Sequence, residues 1–498
     1  MKYVSTRGNA APVTASGAIA TGIAADGGLF VPDSLPRLSA EDILSIAQMP
    51  YARRAATVLS ALLNDFTAEE VAACTTAAYR DNFDVPAIAP LHDFGDGSYA
   101  LELWHGPTCA FKDMALQILP HLMRVSVQKA APGTETVILV ATSGDTGKAA
   151  LEGFSDVPGT RILVFYPDKG VSTMQRLQMV TQTGNNVGVS AISGNFDDAQ
   201  TGVKTLFTDH DFRQKLAQRG MRFSSANSIN LGRLVPQIVY YISAYCDLLN
   251  SGAIRVGDEI NVVVPTGNFG NILAAYYAKR MGLPVAKFIC ASNKNRVLTD
   301  FFATGEYDAR RPFFTTTSPS MDILISSNLE RLLYHLAGDD GEAVAAWMNA
   351  LRTDRCYRVP EAVFTALRQE FVGGCADDEA VAATIRKVYR ERGYLSDTHT
   401  AVGLSVYEQY RTETGDNTPT VIASTANPYK FAPSILGALE LPVPSDPFEQ
   451  LAALEKATGC PIPAPLKSLR DRAERFTGCC DPTPAAMQET VCRLLGID

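Results

Sequence analysis

Short apolar, β-branched runs recur through the middle of the chain, each closed by a turn rich in small residues and followed by a stretch with helical spacing. Thr136–Val140, Arg161–Phe165, Asn186–Ala191, Asn261–Val264 and Lys287–Ala291 read as buried strands. Helical stretches separate them. That βαβ rhythm predicts an α/β fold: doubly wound, mostly parallel sheet with helices on both faces. Ligands in such sheets bind beyond the carboxyl ends of the strands. Thr418–Thr425 reads as a late strand whose polar end returns to that edge. Residues 1 to about 95 read as a mixed N-terminal unit. Within it Ala40–Gln48 is amphipathic, and Thr67–Cys74 opens with a capping-box pattern. The Pro86–Pro90 segment and His92–Ser98 read as a linker or turn. Residues 96–440 follow as the region that carries these strands, in which about 320–395 reads as largely helical, an insertion or an extension of one lobe. Residues 441–498 read as a helical extension broken by prolines. No internal repeat or low-complexity segment stands out.

Composition narrows the function classes. A chain of 498 residues is long enough for two or three domains, and 46% hydrophobic with 19% charged residues is ordinary for a globular protein. A net charge of -9 without a basic stripe disfavours a nucleic-acid partner. No apolar run reaches the roughly 18 residues of a membrane span, and the N-terminus lacks a basic segment followed by an apolar one, so a cytoplasmic location is expected. Ten scattered cysteines form no C-x-x-C pair and read as free thiols. Six histidines show no metal-ligand spacing, and no metal is expected.

Three stretches carry chemistry. The first is His105-Gly-Pro-Thr-Cys-Ala-Phe-Lys112-Asp113. It places a lysine between a turn and an apolar helical start, where desolvation lowers the ammonium pKa and a neutral amine can attack a carbonyl. The competing reading is a surface lysine in the first turn of a helix. The second is Thr142-Ser143-Gly144-Asp145-Thr146-Gly147-Lys148, a strand-to-helix turn whose backbone N–H groups can hold an anion. It lacks the glycine at 142 and the hydroxyl at 149 that a nucleotide P-loop requires. The third is Pro265-Thr266-Gly267-Asn268-Phe269-Gly270-Asn271, again a turn suited to close approach of a phosphate. Each loop alone could be an ordinary βα turn. Cys109 reads as small apolar packing, and His105 and His399 as structural hydrogen bonders.

Taken in chain order, HGPTCAFKD, ATSGDTG and PTGNFGN resemble threonine synthase of the longer class. The likeness extends to Lys2–Gly8, Asp26–Pro32, Ser193–Asp198, Asn227–Asn230, Asp397–Ala401 and Ser424–Phe431, and so covers most of the chain. It implies the two-lobed fold type II architecture of pyridoxal-phosphate enzymes with an added N-terminal α/β unit. It further implies conversion of O-phospho-L-homoserine and water to L-threonine and phosphate. Lys112 would hold the cofactor as an internal Schiff base, with Phe111 beside it, and then act as acid and base. Gly267, Asn268, Phe269, Gly270 and Asn271 would cradle the cofactor phosphate, and Thr425 would face the pyridine nitrogen. Thr142, Ser143, Gly144, Asp145 and Thr146 would bind the substrate carboxylate. For the substrate phosphate, the cations Lys169, Arg176 and Arg233 and the neutral donor Asn230 are candidates. Thr425 simply ending a strand and Asp145 capping a helix are the competing readings. A related phospho-lyase giving 2-oxobutyrate, phosphate and ammonia stays open as the alternative, as does a catalytically silent binding relative. The oligomeric state, monomer or homodimer, is also open.

Overall fold

The computed structural model describes residues 1–142, 144–169 and 171–497. An antiparallel ribbon opens the chain, β1 (Tyr3–Ser5) with β2 (Phe30–Pro32). The helices Ala40–Ala47, Tyr51–Leu62 and Ala68–Ala78 follow. Ser39 with Asp42 and Thr67 with Glu70 form reciprocal capping boxes, so each short side chain satisfies an orphan N–H at its helix start. Ile43, Ile46 and Ala47 are buried, as the amphipathic spacing requires. Where a linker or turn was expected, β3 (Leu91–Asp93) and β4 (Ser98–Glu102) form a hairpin whose turn spans residues 94–97. Gly95 and Gly97 supply the positive φ its turn needs.

Two parallel sheets carry the rest. The smaller contains β5 (Glu135–Ala141), β6 (Thr160–Pro167), β7 (Val187–Ile192) and β8 (Met221–Ser224). The chain then crosses through the helix Leu231–Asn250, which is buried along nearly its whole length. It packs on the N-terminal helices Ala40–Ala47 and Tyr51–Leu62 and on the helix Gly270–Arg280. Arg54 ties this contact, donating to Asp247 at 2.6 Å and to Ser243 Oγ at 2.8 Å. Beyond it lie β9 (Ile260–Pro265) and β10 (Val285–Ser292). A small antiparallel pair, β11 (Glu306–Asp308) with β12 (Cys356–Arg358), stands apart. Then come β13 (Phe371–Cys375), β14 (Thr420–Ser424) and β15 (Cys479–Cys480). The larger sheet has the order β13-β10-β9-β14-β4-β3, parallel except for β3. The smaller has the order β15-β7-β6-β5-β8, parallel throughout.

Two strands add to what was expected of the parallel sheets. Residues 320–395 carry the α-helices Leu329–Leu336, Gly341–Thr353, Glu361–Glu370 and Asp378–Arg392, and β13 among them completes an edge of the larger sheet. Its Phe-Val-Gly-Gly-Cys sequence hides it. A Cβ on Gly373 would meet Thr299 Cα at 2.9 Å, and one on Gly374 would meet Val406 at 2.5 Å. The strand is thus glycine-rich because helices press on both faces. The C-terminal extension is likewise not all helix. β15 adds to the smaller sheet through Cys479 opposite Ala191 and Cys480 opposite Ile192.

Candidate active site

The Gly106–Phe111 turn is held by the carboxylate of Asp113, which accepts from Thr108 N at 2.8 Å and Thr108 Oγ1 at 2.6 Å. A Cβ on Gly106 would land 2.6 Å from that carboxylate, so only glycine lets the turn close over it. Cys109 sits at φ 58°, a left-handed conformation that a non-glycine residue adopts only under constraint from its surroundings. Phe111 N donates to Thr425 O at 2.8 Å, and Ala110 bridges Ala426. The carboxyl end of β14 is thereby fixed against the lysine turn. His105 bridges Asp84 at 2.6 Å and Glu102 at 2.9 Å, the structural role expected for it.

Lys112 precedes the short helix Asp113–Leu116 and is buried. Its Nζ donates to Ser320 Oγ at 3.2 Å and lies 3.9 Å from Asp145 Oδ2. Burial lowers its ammonium pKa to about 8. Asp145 opposes that shift, while Lys430 and Arg233 reinforce it. Asp145 begins the helix Asp145–Phe154 and is itself held by Lys430 Nζ at 2.9 Å and Gln175 Nε2 at 3.3 Å. Burial alone would raise the Asp145 carboxyl. The ammonium groups of Lys430 and Lys112 instead hold it well below the usual carboxylate range. Lys430 also donates to Thr108 O at 2.8 Å, locking the pair to the lysine turn. His399 Nε2 accepts from Ser320 N at 3.1 Å and its Nδ1 faces Asp397 at 3.0 Å, so a buried imidazole positions the serine that meets Lys112.

Beyond β9, the backbone N–H groups of Gly267, Asn268, Phe269, Gly270 and Asn271 donate to no acceptor among the described residues. Phe269 takes φ 62°, and the helix Gly270–Arg280 starts at once. Asn271 Oδ1 accepts from Tyr240 at 2.8 Å and from Tyr241, while its buried Nδ2 has no partner among the described residues. A row of orphan donors at a helix start suits a phosphate. A Cβ on Gly267 would meet Ser320 O at 2.6 Å, so this turn and the segment facing Lys112 are in contact.

The remaining candidates divide. Arg233 is buried, donates Nη1 to Ala226 O at 2.7 Å, and leaves Nε without a partner; burial lowers its pKa to about 10. Asn230 is consumed locally, its Nδ2 donating to Ile19 O at 3.0 Å and Ser225 O at 2.9 Å while its Oδ1 caps Gly232 N at 2.8 Å. Thr142 Oγ1 accepts from Gly144 N and Gly147 N, each at 3.0 Å, which shapes the turn from within. Gly144 at φ 148° lies where a Cβ would meet Gln175 at 2.4 Å. Thr146 is half-buried, and Ser143 lies outside the described residues. Arg176 pairs with Glu474 at 2.6 Å, and Lys169 is exposed. Lys148 is buried against Glu152 at 2.7 Å and Gln182.

Three family models match the chain: threonine synthase N terminus over residues 2–79, pyridoxal-phosphate dependent enzyme over 85–425, and threonine synthase, C-terminal, over 400–491. The chain belongs to the threonine synthase family. The threonine synthase of Pseudomonas aeruginosa is 38% identical over 93% of this chain and 95% of its own. Threonine synthase-like 1 of Homo sapiens is 43% identical over 86% of this chain. The match spans 58% of that relative's length. The crystal structure of pyridoxal-phosphate-bound threonine synthase from Brucella melitensis superposes with a TM-score of 0.89 at 36% identity, covering 99% of both chains. The yeast threonine synthase structure matches with the same TM-score at 30% identity and 99% coverage of both chains. Pyridoxal phosphate is the family's cofactor here too, and the open amide row, the orphan Asn271 Nδ2 and the desolvated Lys112 fit it. Among the described residues no group of His, Cys, Asp and Glu could hold a metal ion, and no helix is long and apolar enough to cross a membrane.

The sequence reading missed Ser320, Lys430 and Gln175. Lys430 lies inside the Ser424–Phe431 stretch, five positions beyond Thr425, and a buried lysine there is the signal that went unused. Ser320 carries no local signal.

Proposed function

We propose that this protein converts O-phospho-L-homoserine and water to L-threonine and phosphate. The observation that carries the proposal is the convergence of a desolvated amine at Lys112, an amide cradle at Gly267–Asn271 and the buried, incompletely bonded guanidinium of Arg233. Pyridoxal phosphate, when bound, supplies an electron sink for carbanions at the substrate. Lys112 would be the residue that joins it, and once displaced would carry protons. It would remove those at Cα and Cβ. Phosphate then leaves Cγ, Cγ gains a proton, water adds at Cβ, and Cα is reprotonated. One flexible amine reaches all three carbons, and its lowered pKa keeps both protonation states available near neutral pH. The paired charges of Asp145 and Lys430 keep an ionised carboxylate beside that amine without letting it trap the proton permanently. The turn would receive the substrate carboxylate through the backbone N–H groups of Asp145 and Thr146, with the Gly144 N–H already donated to Thr142 Oγ1. Arg233 would receive the phosphate, since its free Nε and charge suit an anion. Thr425 would face the pyridine nitrogen with a hydroxyl, which leaves that nitrogen unprotonated.

The test is incubation of purified protein with O-phosphohomoserine while phosphate, threonine and 2-oxobutyrate are each measured. Equal phosphate and threonine support the proposal. Phosphate with 2-oxobutyrate and no threonine replaces it with the lyase reading. Lys112→Ala is expected to lose turnover and the near-ultraviolet and visible absorbance of bound cofactor together.

A further inference from the structure

A strap, residues 309–328, runs from β11 to the helix Leu329–Leu336 with only one short turn of its own at Pro319–Met321; Ser318, Met321, Ser326 and Asn328 are buried, while Phe313 and Ile325 face outward. It is nailed in place at Asp322. That carboxylate accepts from Asn293 Nδ2 at 2.8 Å, Asn295 Nδ2 at 3.0 Å and Thr316 N at 2.9 Å. Tyr307 reinforces it, donating to Leu324 O at 3.1 Å and accepting from Ser326 N at 2.8 Å.

From there the strap's end grips the amide cradle by its carbonyl side. Ser326 Oγ donates to Gly267 O at 2.6 Å. Asn328 donates twice to Asn268 O, from its backbone N–H at 3.1 Å and from Nδ2 at 2.9 Å. In a trans peptide the C=O and the next N–H point in opposite directions. Holding the Gly267 carbonyl therefore fixes where the Asn268 N–H points, and holding the Asn268 carbonyl does the same for the Phe269 N–H. These are two of the amides left open in the cradle. Phe269 at φ 62° would relax elsewhere without such restraint.

The orientation of the Asn328 amide is settled chemically. Arg331 Nη1 donates to Asn328 Oδ1, and a guanidinium cannot accept, so the Nδ2 edge must face Asn268. Arg331 is fully buried, and it donates Nε to Phe30 O of β2 at 2.9 Å and Nη2 to Ile229 O at 2.6 Å.

We infer that Ser326 and Asn328 are positioning residues that aim the amides of Asn268 and Phe269 at the cofactor phosphate, with Arg331 orienting Asn328. This rests on the assignment of that cradle made under the proposed function.

The test compares two ligands of the apo-protein, pyridoxal 5'-phosphate and pyridoxal, which share the aldehyde and differ in the phosphate. Affinities are read by equilibrium dialysis, and the 31P chemical shift of the bound phosphate is recorded. Asn328→Asp keeps the shape and the Arg331 partner but sets a carboxylate oxygen against the Asn268 carbonyl. It is expected to weaken pyridoxal phosphate about tenfold or more, to leave pyridoxal within about twofold, and to move the 31P signal. Ser326→Ala, the milder variant, is expected to weaken pyridoxal phosphate by about threefold to tenfold with the same selectivity, and it carries the test if the aspartate variant does not fold. Equal weakening of both ligands, or none, overturns the inference. A wild-type protein that shows no preference for the phosphorylated ligand overturns the cradle assignment itself, and the inference with it.

Discussion

The proton held by Lys112 is the most exacting test of the site. The carboxylate of Asp145 is 3.9 Å away. At an effective dielectric constant near 20, that contact favours the ammonium by about 4 kcal/mol, or about three pKa units upward. The net shift is nonetheless downward, from 10.5 to about 8. Burial, helped by Lys430 and Arg233, must therefore outweigh the carboxylate. At pH 8 about half of Lys112 would be neutral, against about 0.3% of an ordinary lysine. The two neighbours should pull in opposite directions. Asp145→Asn removes the one strong upward influence and should lower the midpoint by up to about three units, the size of that contact. Lys430→Met removes a repelling cation and leaves Asp145 with Lys112 as its remaining ammonium partner, so the midpoint should rise by about one unit. The groups facing the amine are Asp145, Asp113, Lys430 and Arg233, with His399 behind Ser320. The assay is acylation of the cofactor-free protein across a pH series, with the Lys112 peptide quantified by mass spectrometry and exposed Lys169 as reference. Poor access slows the reaction at every pH but does not move the midpoint. A midpoint near the ordinary lysine value of about 10.4, or an upward move in Asp145→Asn, would refute the reasoning.

Two further outcomes are expected. His105 is buried, which pushes its imidazolium down, but hydrogen bonds to Asp84 and Glu102 win and raise its pKa to about 9. A raised histidine stabilises the fold fully below its unfolded value near 6.5, and that stability is lost as pH rises through about 9. Denaturant unfolding should show about 1–2 kcal/mol of such loss, a value discounted because Asp84 is exposed, and His105→Gln should abolish the slope. Gly267→Ala would drive its Cβ to 2.6 Å from Ser320 O, a backbone atom that cannot swing aside. Cofactor affinity measured by dialysis should fall at least about tenfold, and an unchanged affinity would show that the turn yields freely.

The strand-turn-helix units were legible because their signals are local. The runs ending at Val140 and Val264 are apolar on both faces, and small residues follow each at once, so both turns fall at the carboxyl ends of parallel strands as read. The lysine turn was legible for the same reason. What escaped was set by contacts distant in sequence. Ser320 meets Lys112 across 208 positions, and nothing in Ser-Pro-Ser-Met marks it. β13 is defined by helices that press on Gly373 and Gly374, and β15 by the free edge of β7. Asn230 and Thr142 show the opposite limit. A polar side chain in a motif looks like a ligand group, yet here each is consumed by backbone partners, Thr142 by Gly144 and Gly147, and Asn230 by Ser225, Gly232 and the distant Ile19.

The return of β15 to the rim of β7 has a mechanical meaning. The smaller sheet is joined to the larger through the chain around Lys112 and through the long helix after Asn230. The segment that reaches Cys479 adds a third strap on the far side, where the Arg176–Glu474 pair and the Arg475 bonds to Gln182 and Gly184 fasten it. The outer edge of the smaller sheet is thus finished by chain that comes last in sequence, so truncation before Cys479 would leave the rim of β7 without its strand partner.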